Sequence, residues 1–148
     1  MDLKKIIEEA SDKWGRETVA AILKKIDSYP IKFEGTLRRS ISYEQEGTDI
    51  SFNMADYGKF IDEGVDGTKI KRGSQYSFKG NYKATAYFIK DWALSKGLNR
   101  WAVARTIQKK GIKPRPFFTS VIEKRVPDLE PIISKAVEDY ISSKLSEE

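Results

Sequence analysis

Asp56, Asp62, Glu63 and Asp66 lie within eleven positions in the stretch "ADYGKFIDEGVDGT" (residues 55–68), in a chain whose formal net charge is +5. Carboxylates this close could hold a hard divalent cation or act as an acid–base pair. A calcium loop, however, needs oxygen ligands at alternate positions and a closing bidentate Glu. Asp62, Glu63 and Asp66 do not keep that spacing, and no Glu follows at the required distance. A magnesium-dependent nuclease would draw its carboxylates from separate elements, with a supporting Lys. Asp56, Glu63 and Lys69 could be arranged that way, but their spacing does not require it. The plainer reading is a turn rich in Asp and Gly.

The chain has no cysteine and no histidine. It therefore lacks a thiolate nucleophile, a disulfide framework, Ser-His-Asp or Cys-His machinery and the usual zinc donors. We assign no catalytic residue, cofactor or metal ligand, and the chain reads as a non-enzyme. The modest positive charge permits an anionic partner without demanding one. No apolar run approaches the roughly 20 residues that span a bilayer. The opening "MDLKKIIEEASDKW" is charged throughout and lacks a signal-peptide core, which points to synthesis in a cytoplasm and no membrane partner.

Two basic stretches could contact such a partner. "YFIKDWALSKGLNRWAVARTIQKKGIK" has the outline of a helix-turn-helix, its second helix carrying Arg100, Arg105, Lys109 and Lys110. A helix of that kind could enter a DNA major groove, although basic residues around an apolar face are also the common solvated case. In "KPRPFF", Arg115 between two prolines fixes an extended segment. Adjacent Phe117 and Phe118 would then point opposite ways from a strand, so one could be buried and the other presented to a neighbour, or a loop-covered core could absorb both.

The elements that must position these residues follow from periodicity. Leu3, Ile6, Ile7, Ala10, Trp14, Ala21, Ile22 and Ile26 predict an amphipathic helix over 2–28, with Asp2 as N-cap. Gly15 in its middle predicts a kink or a close packing contact. Period-two alternation (Leu37, Ile41, Tyr43, then Ile50, Phe52, Met54) predicts a β-hairpin over 36–54 turning at "EGTD". Its break at Arg39 allows the first strand to begin as late as Ser40. A long connection over 66–82 carries Lys69, Lys71, Arg72 and Lys79 and is functional or flexible by its length. Helices follow over 83–96, with Ala84, Phe88, Trp92 and Ser95 along one stripe, and over 99–110, capped by Asn99. Residues 118–126 read as a short helix or strand, and 128–145 as a final amphipathic helix. The whole is a single domain over 1–148 of α+β class: a small antiparallel sheet packed by an N-terminal helix and C-terminal helices.

Three stretches together resemble the tail-completion, or head–tail joining, proteins of long-tailed bacteriophages. "EGTLRRSI" (34–41) resembles that family's Gly-x-Leu-Arg-x-Ser-Ile signature. "YGKFIDEGVDGT" (57–68) resembles its Tyr-Ala-x-aromatic-Val-Glu-x-Gly-Thr stretch, with Gly58 in place of Ala and Asp62 at the position of Glu. "IKPRPFFTSVIEK" (112–124) resembles its closing Arg-Pro-Phe segment. Order and spacing over residues 1–126 carry the likeness.

The resemblance implies a structural virion protein, made in the bacterial host and placed at the head–tail junction as a homo-oligomeric ring. Connector or adaptor and tail-tube proteins would be its partners, and no catalysis is implied. On that reading Phe117 and Phe118 are intersubunit anchors on a proline-stiffened arm, and Arg38 and Arg39 are interface or sheet-edge charges. Lys69, Lys71, Arg72 and Arg115 complete the expected interface. The 67–82 loop either touches DNA non-specifically in a central channel or folds against an acidic partner. The alternative is a small helix-turn-helix-like DNA-binding protein.

Overall fold

A computed structural model describes residues 2–29, 36–78, 86–87 and 89–147, with the backbone alone at Thr36 and Trp92. Its helices are α1 (Leu3–Asp27), α2 (Thr36–Ser40), α3 (Gly58–Glu63), α4 (Lys90–Ser95), α5 (Arg100–Lys110) and α6 (Thr119–Ser146), with strands β1 (Ser42–Glu46) and β2 (Asp49–Asn53). The class is α+β, a two-stranded antiparallel sheet packed against an N-terminal helix and C-terminal helices. The elements gather into two compact units, Met1–Asp56 with Phe117–Glu148, and Tyr57–Pro116.

In the first unit the Asp2 carboxylate caps α1 by accepting from the Lys5 N–H at 2.9 Å, which satisfies one of the open donors of the first turn. Ser11, Trp14, Gly15, Thr18, Ile22 and Ile26 form its buried stripe. Gly15 serves close packing: a Cβ there would stand 3.0 Å from the Tyr43 ring of β1. Tyr43 is held against α1 by donating its hydroxyl proton to Asp12 at 2.6 Å. Gln45, two residues on and on the same face, donates to the Glu8 carbonyl at 2.8 Å.

The hairpin is shorter than its alternation predicts. Residues 36–40 form α2, and pairing runs from Ser42↔Asn53 to Glu46↔Asp49. Leu37 and Ile41 are both buried, at 2% and 7% exposure. A spacing of four suits one turn of helix as well as two steps of strand, so periodicity alone could not choose. Gly47, with φ +63°, makes the tight turn, as two-residue hairpin loops require.

α6 is likewise longer than the expected 128–145, because it begins at Thr119 and runs through Pro127 and Pro131. Each proline removes a helical N–H donor. Both lie exposed, where water can take the freed carbonyls. Against α1, the Trp14 indole donates to the Arg125 carbonyl at 3.1 Å, and Arg125 Nε donates to the buried Thr18 hydroxyl at 2.8 Å. Trp14, Phe52 and Phe118 continue the core as edge-to-face pairs, with centroids 5.8 and 6.1 Å apart.

In the second unit, Asn99 caps α5 by accepting from the Trp101 and Ala102 N–H groups at 2.9 and 3.3 Å. Of the helix expected over 83–96, residues 83–85 and 88 lie outside the described residues. In the described part Ala86 and Ala93 are fully buried and Ser95 is exposed; the other members of the expected stripe, Ala84, Phe88 and the Trp92 side chain, lie outside the described residues. On α5, Ala104 is buried and Trp101 is 40% exposed, with the Arg100 guanidinium 4.7 Å from its ring centroid.

Candidate functional site

The second unit concentrates charge. Tyr57–Pro116 carries 14 Lys and Arg against 4 Asp and Glu, a net +10, which leaves −5 for the rest of a chain whose total is +5. Most of those few acids are engaged locally. Asp62 is buried at 3% exposure. Glu63 accepts from the Gln75 side-chain amide at 2.7 Å. Asp66 Oδ1 accepts from the Arg72 N–H, and from the Ser74 N–H at 3.1 Å. These bonds, Arg72's first, hold the Asp66 carboxyl below the usual Asp range, because a carboxylate fed by backbone donors is stabilised in its charged form. Through these bonds the acidic stretch forms a corner in the backbone, and among the described residues no three or more acids gather as a metal site.

That corner folds the connection after it onto the end of α5. The N–H groups of Thr68, Lys69 and Ile70 donate to the carbonyls of Gln108, Lys109 and Lys109 at 2.8, 2.9 and 3.1 Å. Val65 and Ile112 exchange both backbone bonds, at 2.9 and 2.8 Å. Arg72 reaches the Lys110 carbonyl with Nε and Nη2 at 3.1 and 3.0 Å, placing a cation at the negative end of the helix. Residues 66–78, expected to be functional or flexible by length, are therefore tied by backbone bonds; 79–82, with Lys79, lie outside the described residues.

Lysines forty positions apart are brought into one surface. Lys69, Lys71, Lys109, Lys110 and Lys113 are all exposed, and no ion pair is formed by any of them among the described residues. Sequence reasoning placed Lys69 and Lys71 in the loop and Lys109 and Lys110 on a separate helix. The Gly-Lys-rich loop and the Gly111 helix stop were visible, but nothing in the sequence shows the ladder between them.

The other expected residues are placed differently. Arg38 is paired side by side with Asp27, Nε to Oδ1 and Nη2 to Oδ2 both at 3.1 Å, and Arg39 is exposed beside it. Arg115 is half-buried: its N–H donates to the Ile61 carbonyl at 2.9 Å and its guanidinium to the Lys113 carbonyl at 3.3 Å. Phe117 is 0% exposed and has no surface to offer a neighbour, which corrects its assignment as an intersubunit anchor. Phe118 is half-buried against Phe52. The proline-flanked segment ends in a core residue because Phe117 is the largest fully buried side chain among those described.

Sequence reasoning missed the outer face of the hairpin. Register puts Glu44, Glu46 and Asp49 on one exposed side, with Ser42, Ser51 and Asn53 completing it. The alternate spacing of Glu44 and Glu46 was the available signal. Comparison with family models, with curated proteins and with solved structures finds no match to this chain.

Proposed function

We propose that the chain is a structural virion protein that completes a phage tail or joins it to the head by ring assembly. The class comes from the ordered likeness of "EGTLRRSI", "YGKFIDEGVDGT" and "IKPRPFFTSVIEK" to the tail-completion family. The observation that carries assembly is α6: it has an apolar stripe, yet none of its described residues is buried. Val126, Ile132, Ile141 and Leu145 are 49%, 37%, 48% and 67% exposed. An amphipathic helix covered along one side only leaves apolar area that a neighbouring subunit can bury. Among the described residues no helix is long and apolar enough to cross a membrane.

Native mass spectrometry of the protein, alone and with a phage connector protein, tests this reading. A cyclic oligomer is expected, and Ile141→Lys with Leu145→Lys, both at exposed positions, should reduce it to monomer. Monomers under every condition, connector present, would overturn it.

The DNA-binding alternative draws support from the +10 charge of Tyr57–Pro116. It requires sequence-preferring duplex binding that weakens with salt and is weakened by Arg100→Ala and Arg105→Ala.

A further inference from the structure

We propose that successive copies dock by charge, the lysine corner of one copy seated on the outer hairpin face of the next. The inference rests on the assembly reading and names the surfaces involved.

The cationic side is prebuilt. Backbone bonds from Lys69 and Ile70 to Lys109 hold the loop against α5, so Lys69, Lys71, Lys109 and Lys110 share one surface before any partner arrives. Arg72 is occupied with the helix end, and the neighbouring Asp66 spends its carboxylate on backbone donors. Asp66 attracts Lys71 through space, but none of the four lysines forms an ion pair among the described residues, and the corner keeps an excess of positive charge.

The occupant of matching chemistry is in the same chain. Glu46 and Asp49 are directly opposed across the hairpin, and Glu44 is on the same exposed face. Like charges facing each other across strands destabilise a sheet, and no described basic side chain pairs with any of the three. An ammonium cluster set against that face relieves the repulsion, so the match is favourable on both sides. The two patches differ, so the contact is heterologous and propagates from copy to copy, closing into a ring where its rotation allows. Such pairing fixes register and partner choice as well as adding affinity.

The experiment uses charge reversal with exchange. Lysine-reversed protein (Lys69→Glu, Lys71→Glu, Lys109→Glu, Lys110→Glu) and hairpin-reversed protein (Glu44→Lys, Glu46→Lys, Asp49→Lys) are studied by sedimentation, separately and mixed. Each alone should lose self-association, whereas an equimolar mixture should recover it, because every contact in an alternating ring is again between opposite charges. Wild-type association should weaken about tenfold or more between roughly 0.05 and 0.5 M salt, as screening shortens the reach of exposed charges. Unchanged assembly in both variants would overturn this inference and leave ring assembly standing. Assembly lost in each variant but not recovered on mixing would overturn it too. So would lysine-reversed protein that assembles normally but loses binding to a random DNA duplex, which would assign the corner to nucleic acid. Wild-type protein that stays monomeric with connector present would overturn the assembly reading itself, and the docking with it.

Discussion

Gly67 and Gly111 are packed backbone to backbone: a Cβ on Gly67 would run into the Lys109 carbonyl, and one on Gly111 into the Val65 carbonyl. Gly111 also has φ +74°, a region that side-chain-bearing residues occupy at a cost. This crossing joins the loop after α3 to the end of α5 and so creates the lysine corner. Gly111→Ala should destabilise the protein by on the order of 2 kcal/mol or more. Chemical denaturation would read the loss, and hydrogen exchange should show reduced protection at the Lys69 and Ile70 amides.

Phe117 and Phe118 should separate in their effects. Removing fully buried Phe117 leaves a cavity, so Phe117→Ala should cost about 3–5 kcal/mol. Phe118→Ala removes one half-buried edge-to-face partner of Phe52 and should cost clearly less. Thermal melts of both variants check this, and equal losses would contradict the burial.

Replacing Gly15 with Ala offers about 1 kcal/mol of helix propensity, yet the new methyl would press on the Tyr43 ring at 3.0 Å. Because the Tyr43 hydroxyl is tied to Asp12, the ring cannot swing aside without breaking that bond. Gly15→Ala should therefore be destabilising in the native protein. In a Tyr43→Ala background it should become stabilising, a sign reversal that a double-mutant cycle of denaturation free energies would show.

Asp66 makes the corner sensitive to acid. Its carboxyl titrates below the ordinary Asp range when folded, so the unfolded chain binds a proton first as pH falls. The stabilisation is complete above the unfolded value of about 3.9 and is lost as pH drops through the lower folded value. Amide protection at Arg72 and Ser74 should fall away in that acidic window and stay constant from neutral pH down to it. Asp66→Asn should weaken the protection at neutral pH and flatten its acid dependence.

Much of the fold was legible in residue order. The stripe from Trp14 to Ile26, the Asp2 and Asn99 caps, the turn at Gly47 and the helix stop at Gly111 are local signals, each set by a side chain acting within a turn or two of itself. Such signals determine helix and hairpin positions because the interactions behind them span only a few residues.

What spans tens of residues was decided by tertiary structure. Leu37 and Ile41 fit either helix or strand, and in the folded chain Leu37 lies in α2 with Ile41 just past its end, both buried. Residues 118–126 read as separate from the helix over 128–145, yet α6 runs on from Thr119 through Pro127 and Pro131, with Arg125 of its early turns bonded to Thr18 on α1. Phe117 looked available to a neighbour until the core enclosed it. Lys69 and Lys109 became one surface through backbone bonds that no side-chain pattern encodes. The sequence determined that this chain would be α+β and rich in basic residues. Only the folded backbone decided that Glu63 and Asp66 would be tied into the corner by hydrogen bonds, with the lysines gathered beside them and in no ion pair among the described residues.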